Sequence, residues 1–128
     1  MRASFARTTM TIKSQLVGTT TILHVHGTIT AAAGERGLRD VIRQAVADGV
    51  RTVVVNMQDA TSIDSSGVSD LASGHMILGN SGGSLKLCCL TKKLKDIFVV
   101  TRLDTVFDIH ETEAAALASA GVPKQSNS

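Results

Sequence analysis

The sequence predicts an α/β domain with a mostly parallel sheet, and three observations carry that expectation. Val53-Val54-Val55 is a continuous apolar run, the pattern of a strand buried on both faces. Short apolar runs alternate with segments of helical period in the order strand, strand, helix, strand, helix, strand, helix, strand, helix. The chain has 128 residues, 43% of them hydrophobic, which suits one domain with one core. The expected organisation is a flexible lead-in over residues 1–8, a folded domain over 9–120, and a loose polar tail over 121–128.

Met10 and Ile12 alternate with polar residues as a first strand does, and Leu16-Val17-Gly18 suggests a turn. Thr21 to His26 forms the second strand, with Leu23 and Val25 on one face and Ile22, His24 and His26 on the other. A helix follows Ala31-Ala32-Ala33-Gly34, its apolar face made by Leu38, Val41, Ile42, Ala45 and Val46, and Asp48-Gly49 ends it. Arg36, Arg39 and Arg43 lie mainly on its other side, as a solvated face does.

Val53 to Val55 is the central strand, and Asn56 to Ser62 is rich in residues that favour a turn. A second helix opens at Asp64-Ser65-Ser66-Gly67. At about 100° per residue, Val68, Leu71, Ala72, His75, Met76, Leu78 and Gly79 share one arc. Ser66, Ser69, Asp70, Ser73 and Ile77 fall opposite. Leu71 and Met76 are therefore expected against the sheet, with Ile77 on an exposed, otherwise polar face.

Gly79 to Gly83 terminates this helix. A phosphate-cradling loop would lie between a strand and the helix after it, whereas this one follows a helix. Leu85 to Leu90 reads as the next strand. Thr91 caps a helix over Lys92 to Val100, whose Leu94, Ile97, Phe98 and Thr101 point inward. Val106 to Ile109 is a short last strand. Acidic Glu111 and Glu113 suit the start of a final helix that runs through Ala114 to Ala120 and stops before Pro123.

Composition removes several function classes. The net charge is +2, from 13 basic and 11 acidic residues, so no strong field points to nucleic acid. With three Phe and neither Trp nor Tyr, there is no supply of base-stacking platforms. The first ten residues lack an apolar signal region and no stretch reaches membrane-spanning length, so the expectation is a soluble, cytoplasmic protein without membrane insertion.

Adjacent Cys88 and Cys89 should point to opposite faces of a strand, which disfavours a shared metal site and reads as buried thiols. His24 and His26 share a strand face at a spacing a zinc or copper ion can use, but no third ligand is evident, so neither a metal nor a cofactor is expected.

The chemistry concentrates at Ser65, at the mouth of a helix just beyond a buried strand, where its hydroxyl should reach the surface. Strand, short loop and Asp64-Ser65-Ser66-Gly67 opening a helix resemble the STAS domain, the fold of bacterial anti-sigma factor antagonists. His26-Gly27-Thr28-Ile29-Thr30 resembles that family's Gly-x-Leu-Asp strand end. Arg102-Leu103-Asp104-Thr105-Val106-Phe107 resembles its Thr-Gly-Leu-Asp-x-Val-Phe stretch. The likeness runs from about Thr11 to Ala120. Three positions depart from the pattern: Thr30 stands where many antagonists carry Asp, Ser69 where Gly is usual, and Arg102 where the pattern has Gly. The resemblance implies an antiparallel edge strand and helices packed mainly along one face.

Three readings compete for Ser65. A catalytic nucleophile needs a base within reach, yet the Gly-x-Ser-x-Gly elbow is missing and His75 is expected in the core, so an enzyme is not expected. A helix cap explains one of Asp64, Ser65 and Ser66 and leaves the others.

The resemblance implies a third role, a phosphorylation switch at Ser65 in a partner-switching pathway. The unphosphorylated protein would hold an anti-sigma factor, commonly a serine kinase of the histidine-kinase-like ATPase family, through a face of Thr30, Asp64, Ser66, Gly67, Ser69, Ser73 and Ile77. Phosphorylation would release it, and a phosphatase would reset it. Two alternatives remain open: a STAS subunit of a larger signalling or lipid-trafficking assembly, and a small-ligand or nucleotide sensor.

Overall fold

The computed structural model describes residues 10–31 and 37–120. Five strands form one sheet in the order β1 (Thr11–Val17), β2 (Thr20–Ile29), β3 (Thr52–Ile63), β4 (Ser84–Cys88), β5 (Asp108–His110). A tight turn with Gly18 at φ +64° joins β1 to β2, and these two pair antiparallel from Thr11↔His26 to Val17↔Thr20. The remaining pairs are parallel. Each parallel connection carries a helix: α1 (Leu38–Ala47), α2 (Ser65–Asn80) and α3 (Lys92–Val100). Because the crossovers all step the same way along the sheet and such connections share one hand, the three helices fall on one face.

Strand alternation explains why both faces are apolar. Leu23, Val25, Val53, Val55, Leu85 and Leu87 point toward α1, α2 and α3, where Leu38, Ile42, Leu71, Leu78, Leu94 and Phe98 complete the main core. Ile22, Val54 and Cys88 point the other way and need separate cover. The final helix α4 (Glu113–Ser119) supplies it by burying Ala116 against them, with Leu117 alongside. Thr91 and Thr112 cap α3 and α4 through their side chains, accepting from Leu94 N and Ala115 N.

Several expected boundaries shift. Residues 56–62 do not form a turn: β3 continues to Ile63, with Met57, Ala60 and Ile63 buried and Gln58, Asp59 and Thr61 exposed. Polar composition concealed a strand whose inward residues are spaced three apart. Interruptions of the β2–β3 register between His24 and His26, and between Gly27 and Thr28, accommodate that spacing. The last strand begins at Asp108 rather than Val106, after a 3-10 turn over Leu103–Thr105. Thr101 is exposed at the end of α3 and returns its hydroxyl to Ile97 O at 2.6 Å. Arg36 lies outside the described residues, whereas Arg39 and Arg43 are exposed as expected.

The largest correction concerns the phase of α2. Leu71 is fully buried, but Met76 is 65% exposed and Ile77 is half-buried against the main core. Asp70, expected outside, is buried. The buried face consists of Gly67, Asp70, Leu71, Gly74 and Leu78. Counting only large apolar residues rotates the face away from its two glycines, which are buried because the Ile29 backbone approaches one and the Ile42 side chain the other. A Cβ at Gly67 would collide with the Ile29 carbonyl, and one at Gly74 with the Ile42 side chain. Asp70 lies near Gly37, the N-cap of α1, where a Cβ would come within 3.0 Å of Oδ2. A carboxylate is favoured there by the free amides of a helix start.

Candidate functional site

The end of β3 delivers the chain to α2 through a single residue, Asp64. Its extended backbone (φ −104°, ψ 178°) leaves the helix turn free to be capped, and its carboxylate accepts from Gly67 N at 2.8 Å. The same Oδ1 accepts the Ser66 hydroxyl at 2.7 Å. Ser66 Oγ in turn accepts the Ala31 amide at 2.9 Å and lies 3.1 Å from Thr30 Oγ1. The ends of β2 and β3 are thus tied together through Ser66, and Asp64 N donates to Ile29 O at 3.1 Å to close the joint. The hydroxyls of Thr30 and Ser66 and the amide of Gly67 hold the Asp64 carboxyl below the usual carboxylate range.

Ser65, the first residue of α2, is exposed, and its hydroxyl has no hydrogen-bond partner among the described residues. Beside it lies a shallow groove of about 370 Å³ walled by Ile63, Val68, Ile97, Thr101 and Leu103. The corner therefore presents one uncommitted nucleophilic oxygen, a helix N-terminus and an apolar wall.

The STAS domain family model matches residues 11–116 of this chain. The chain belongs to the STAS domain family. Solved STAS structures share its fold. An anti-sigma factor antagonist from Mycobacterium paratuberculosis superposes with a TM-score of 0.76 at 21% identity, over 90% of this chain and 97% of that one. An anti-sigma-factor antagonist (STAS) domain protein from Planctomyces limnophilus gives 0.72 at 16% identity, over 86% and 97%. The phosphorylated form of the Bacillus cell fate determinant SpoIIAA gives 0.65 at 22%, over 85% and 98%.

Within this STAS domain the expected site residues do not all stand together. Thr30, Asp64, Ser66 and Gly67 form the joint beneath Ser65. Ser69 is exposed and Ser73 half-buried farther along α2. Ile77 leaves the exposed face, and Met76, which the sequence reading placed in the core, occupies it instead. Ser65, Ser69, Ala72 and Met76 follow one another at helical intervals on one flank. The Ala31 amide was also missed, because a backbone donor leaves no mark in the sequence. Arg102 stands where the family pattern has Gly, and its backbone is left-handed at φ 64°, ψ 16°. The departure keeps the glycine conformation without the glycine.

Among the described residues, no His is grouped with Ser65 as a general base. His75 is ten residues farther along α2, roughly 15 Å at the helical rise. Its ring meets Phe107 edge-on at 5.8 Å, and its Nδ1 is buried with no partner among the described residues. On the opposite sheet face, Ser119 Oγ and Asp108 Oδ1 lie 3.2 and 3.1 Å from His110. Both approach the same nitrogen, Nε2, so the ring cannot relay a proton between them as a Ser-His-Asp triad does. His24 Nε2 is 3.9 Å from Glu113 Oε1, and His26 is exposed. No three His, Cys, Asp or Glu side chains among the described residues are grouped to hold a metal. No helix among them is long and apolar enough to cross a membrane.

Proposed function

We propose that this STAS domain is a cytoplasmic anti-sigma factor antagonist in a partner-switching pathway, with Ser65 as its phosphorylated residue. The observation that carries the reading is the division of labour at the α2 mouth. Asp64 caps the helix and Ser66 binds the joint, its proton on Asp64 and the Ala31 amide on its oxygen. Of these three side chains, Ser65 Oγ alone remains exposed and without a hydrogen-bond partner among the described residues. A kinase can take it without dismantling the helix start.

The partner is an anti-sigma factor that is itself a serine kinase of the histidine-kinase-like ATPase family. It binds the unphosphorylated protein through Thr30, Asp64, Ser66, the Ser65–Ser69–Met76 flank of α2, and Ser73, whereas Gly67, expected in this face, is buried against Ile29 and only supports it. Phosphorylation adds a charge of about −1.5 to −2. Free amides and the helix dipole favour that charge by about 0.3 to 2 kcal/mol, so the domain keeps its fold. The cost falls on the complex, where the dianion beside ionised Asp64 must be desolvated. A penalty of about 2 kcal/mol lowers affinity roughly thirtyfold. Removal of the phosphate by a phosphatase restores binding.

The test is phosphorylation by the cognate kinase with ATP, followed by peptide mapping and binding measurements. One phosphate on Ser65 is expected. Ser65→Ala should bind without being phosphorylated, and Ser65→Asp should bind at least about tenfold more weakly. Phosphate found solely at another residue, or full phosphorylation of Ser65→Ala, overturns the assignment.

A further inference from the structure

Strand β4 does not continue to Leu90 as its apolar sequence suggests; it ends at Cys88, and Cys89 turns into the left-handed region at φ 62°. Such a backbone is disfavoured for a residue with a side chain. Its geometric consequence is that two neighbouring side chains, which a strand would send to opposite faces, lie together. Cys89 Sγ is 3.5 Å from Cys88 Sγ. Both thiols are free; Cys88 is buried and Cys89 half-exposed. The pair lies at the rim of the second core, where Cys88 packs with Ile22, Val54 and Ala116 and the Cys89 amide donates to His110 O at 3.3 Å.

We propose that Cys88 and Cys89 form a peroxide-reactive dithiol that closes to a disulfide between adjacent residues. The half-exposed Cys89 reacts first. Its thiolate attacks one peroxide oxygen, the O–O bond breaks, and the departing hydroxide takes a proton to become water, leaving a sulfenic acid on Cys89. Cys88 sulfur then attacks Cys89 sulfur, the S–O bond breaks, and hydroxide leaves with the Cys88 proton as a second water. Two thiols lose two electrons in total, and one peroxide becomes two waters.

The order follows from the surroundings. Burial, then the hydrogen bond from Cys89, raises the Cys88 thiol well above its usual range, so Cys88 is the resolving group rather than the first attacker. Adjacent Cα atoms are about 3.8 Å apart, shorter than the roughly 4.4 Å lower end for ordinary disulfides, so the closed form is strained and easily reduced. That suits a reversible state and not a structural staple.

The experiment uses the full chain, hydrogen peroxide and mass spectrometry. Trypsin cleavage after Lys86 and Lys92 leaves both cysteines in one peptide, residues 87–92. The proposal expects that peptide to lose two hydrogens on oxidation, both thiols to disappear from a titration in denaturant, and dithiothreitol to restore them. Cys88→Ala should stop at a dimedone-trapped sulfenic acid on Cys89. Cys89→Ala should lose its remaining thiol at least about tenfold more slowly than wild type loses its first. Unreacted thiols, sulfinic acid as the main product, disulfide-linked dimers, or a Cys89→Ala protein that reacts as fast as wild type would each overturn it.

Discussion

Gly67 lies so close to the backbone of Ile29 that a methyl group on it would overlap the Ile29 carbonyl oxygen. This contact sets the α2 N-terminus directly on the end of β2, which lets Ser66 reach Ala31 and Thr30. A carbonyl cannot swing aside as a side chain can. Gly67→Ala is therefore expected to cost at least about 1–3 kcal/mol, the usual range for overpacking, and to disturb the Ser66 contacts. Gly74→Ala meets only the flexible end of Ile42 and should cost less. Gly79 has open space around it in the same helix, so Gly79→Ala should stabilise by about 0.4–1 kcal/mol. Urea unfolding of the three variants checks the ranking, and a Gly67→Ala midpoint equal to that of wild type would contradict the packing.

What the sequence made legible follows from which physical signal each element carries. Val53 to Val55 and the face of Leu38, Ile42 and Ala45 were readable because large apolar side chains at a fixed period have no better place than a core. Asp64 to Gly67 was readable because a helix start needs capping oxygens. The phase of α2 differs from the periodic reading because its buried face is held by close backbone approach at Gly67, by the Ile42 side chain seated on Gly74 and by Asp70 near the α1 N-terminus, and neither the glycines nor Asp70 register as hydrophobic. The far half of β3 was hidden by register shifts that break strict alternation. Cys89 was placed in a strand because nothing in a run of apolar residues announces a left-handed backbone.

The Asp64 carboxyl titrates below the usual range because Thr30, Ser66 and the Gly67 amide stabilise its ionised form. A depressed folded-state pKa contributes stability that is fully present above the unfolded value, about 3.9 for Asp, and is lost as pH falls through the folded value. Asp64→Asn keeps an N-cap acceptor but removes the charge. Wild type should be more stable than this variant near neutrality, and the two should converge as pH drops below the carboxylate range. Thr30→Val should raise the Asp64 pKa in a carboxyl-carbon NMR titration. Parallel acid-unfolding curves, with a constant gap to low pH, would show that the charge contributes nothing.

Arg102 holds the left-handed conformation without an obvious reward from its exposed side chain. An L-residue there costs about 1–2 kcal/mol, while Gly avoids that cost but loses more unfolded-state entropy. Arg102→Gly is expected to stabilise the domain by up to about 1 kcal/mol, with the Val106-to-His110 segment unchanged. A lowered thermal midpoint would mean that the guanidinium has a structural role its exposure conceals.

Met76 and Ile77 separate the exposed flank of α2, the proposed partner-binding face, from its core face, because they are adjacent in sequence and differ in burial. Met76 lies eleven residues after Ser65, roughly 16 Å along the helix at 1.5 Å per residue, and eleven steps bring it back to nearly the same flank. That distance fits within a single interface of ordinary size. At 65% exposure Met76 contributes little to the core, whereas an unbranched, polarizable side chain adapts well to a partner surface. Met76→Ala should change stability by less than about 0.5 kcal/mol and weaken the anti-sigma partner by more than about 1 kcal/mol. Ile77 packs against the main core, so Ile77→Ala should reverse the pattern, costing about 1–2 kcal/mol of stability with little effect on affinity measured below the unfolding transition. If Met76→Ala binds the partner as tightly as wild type, the binding face does not extend along this flank beyond Ser69.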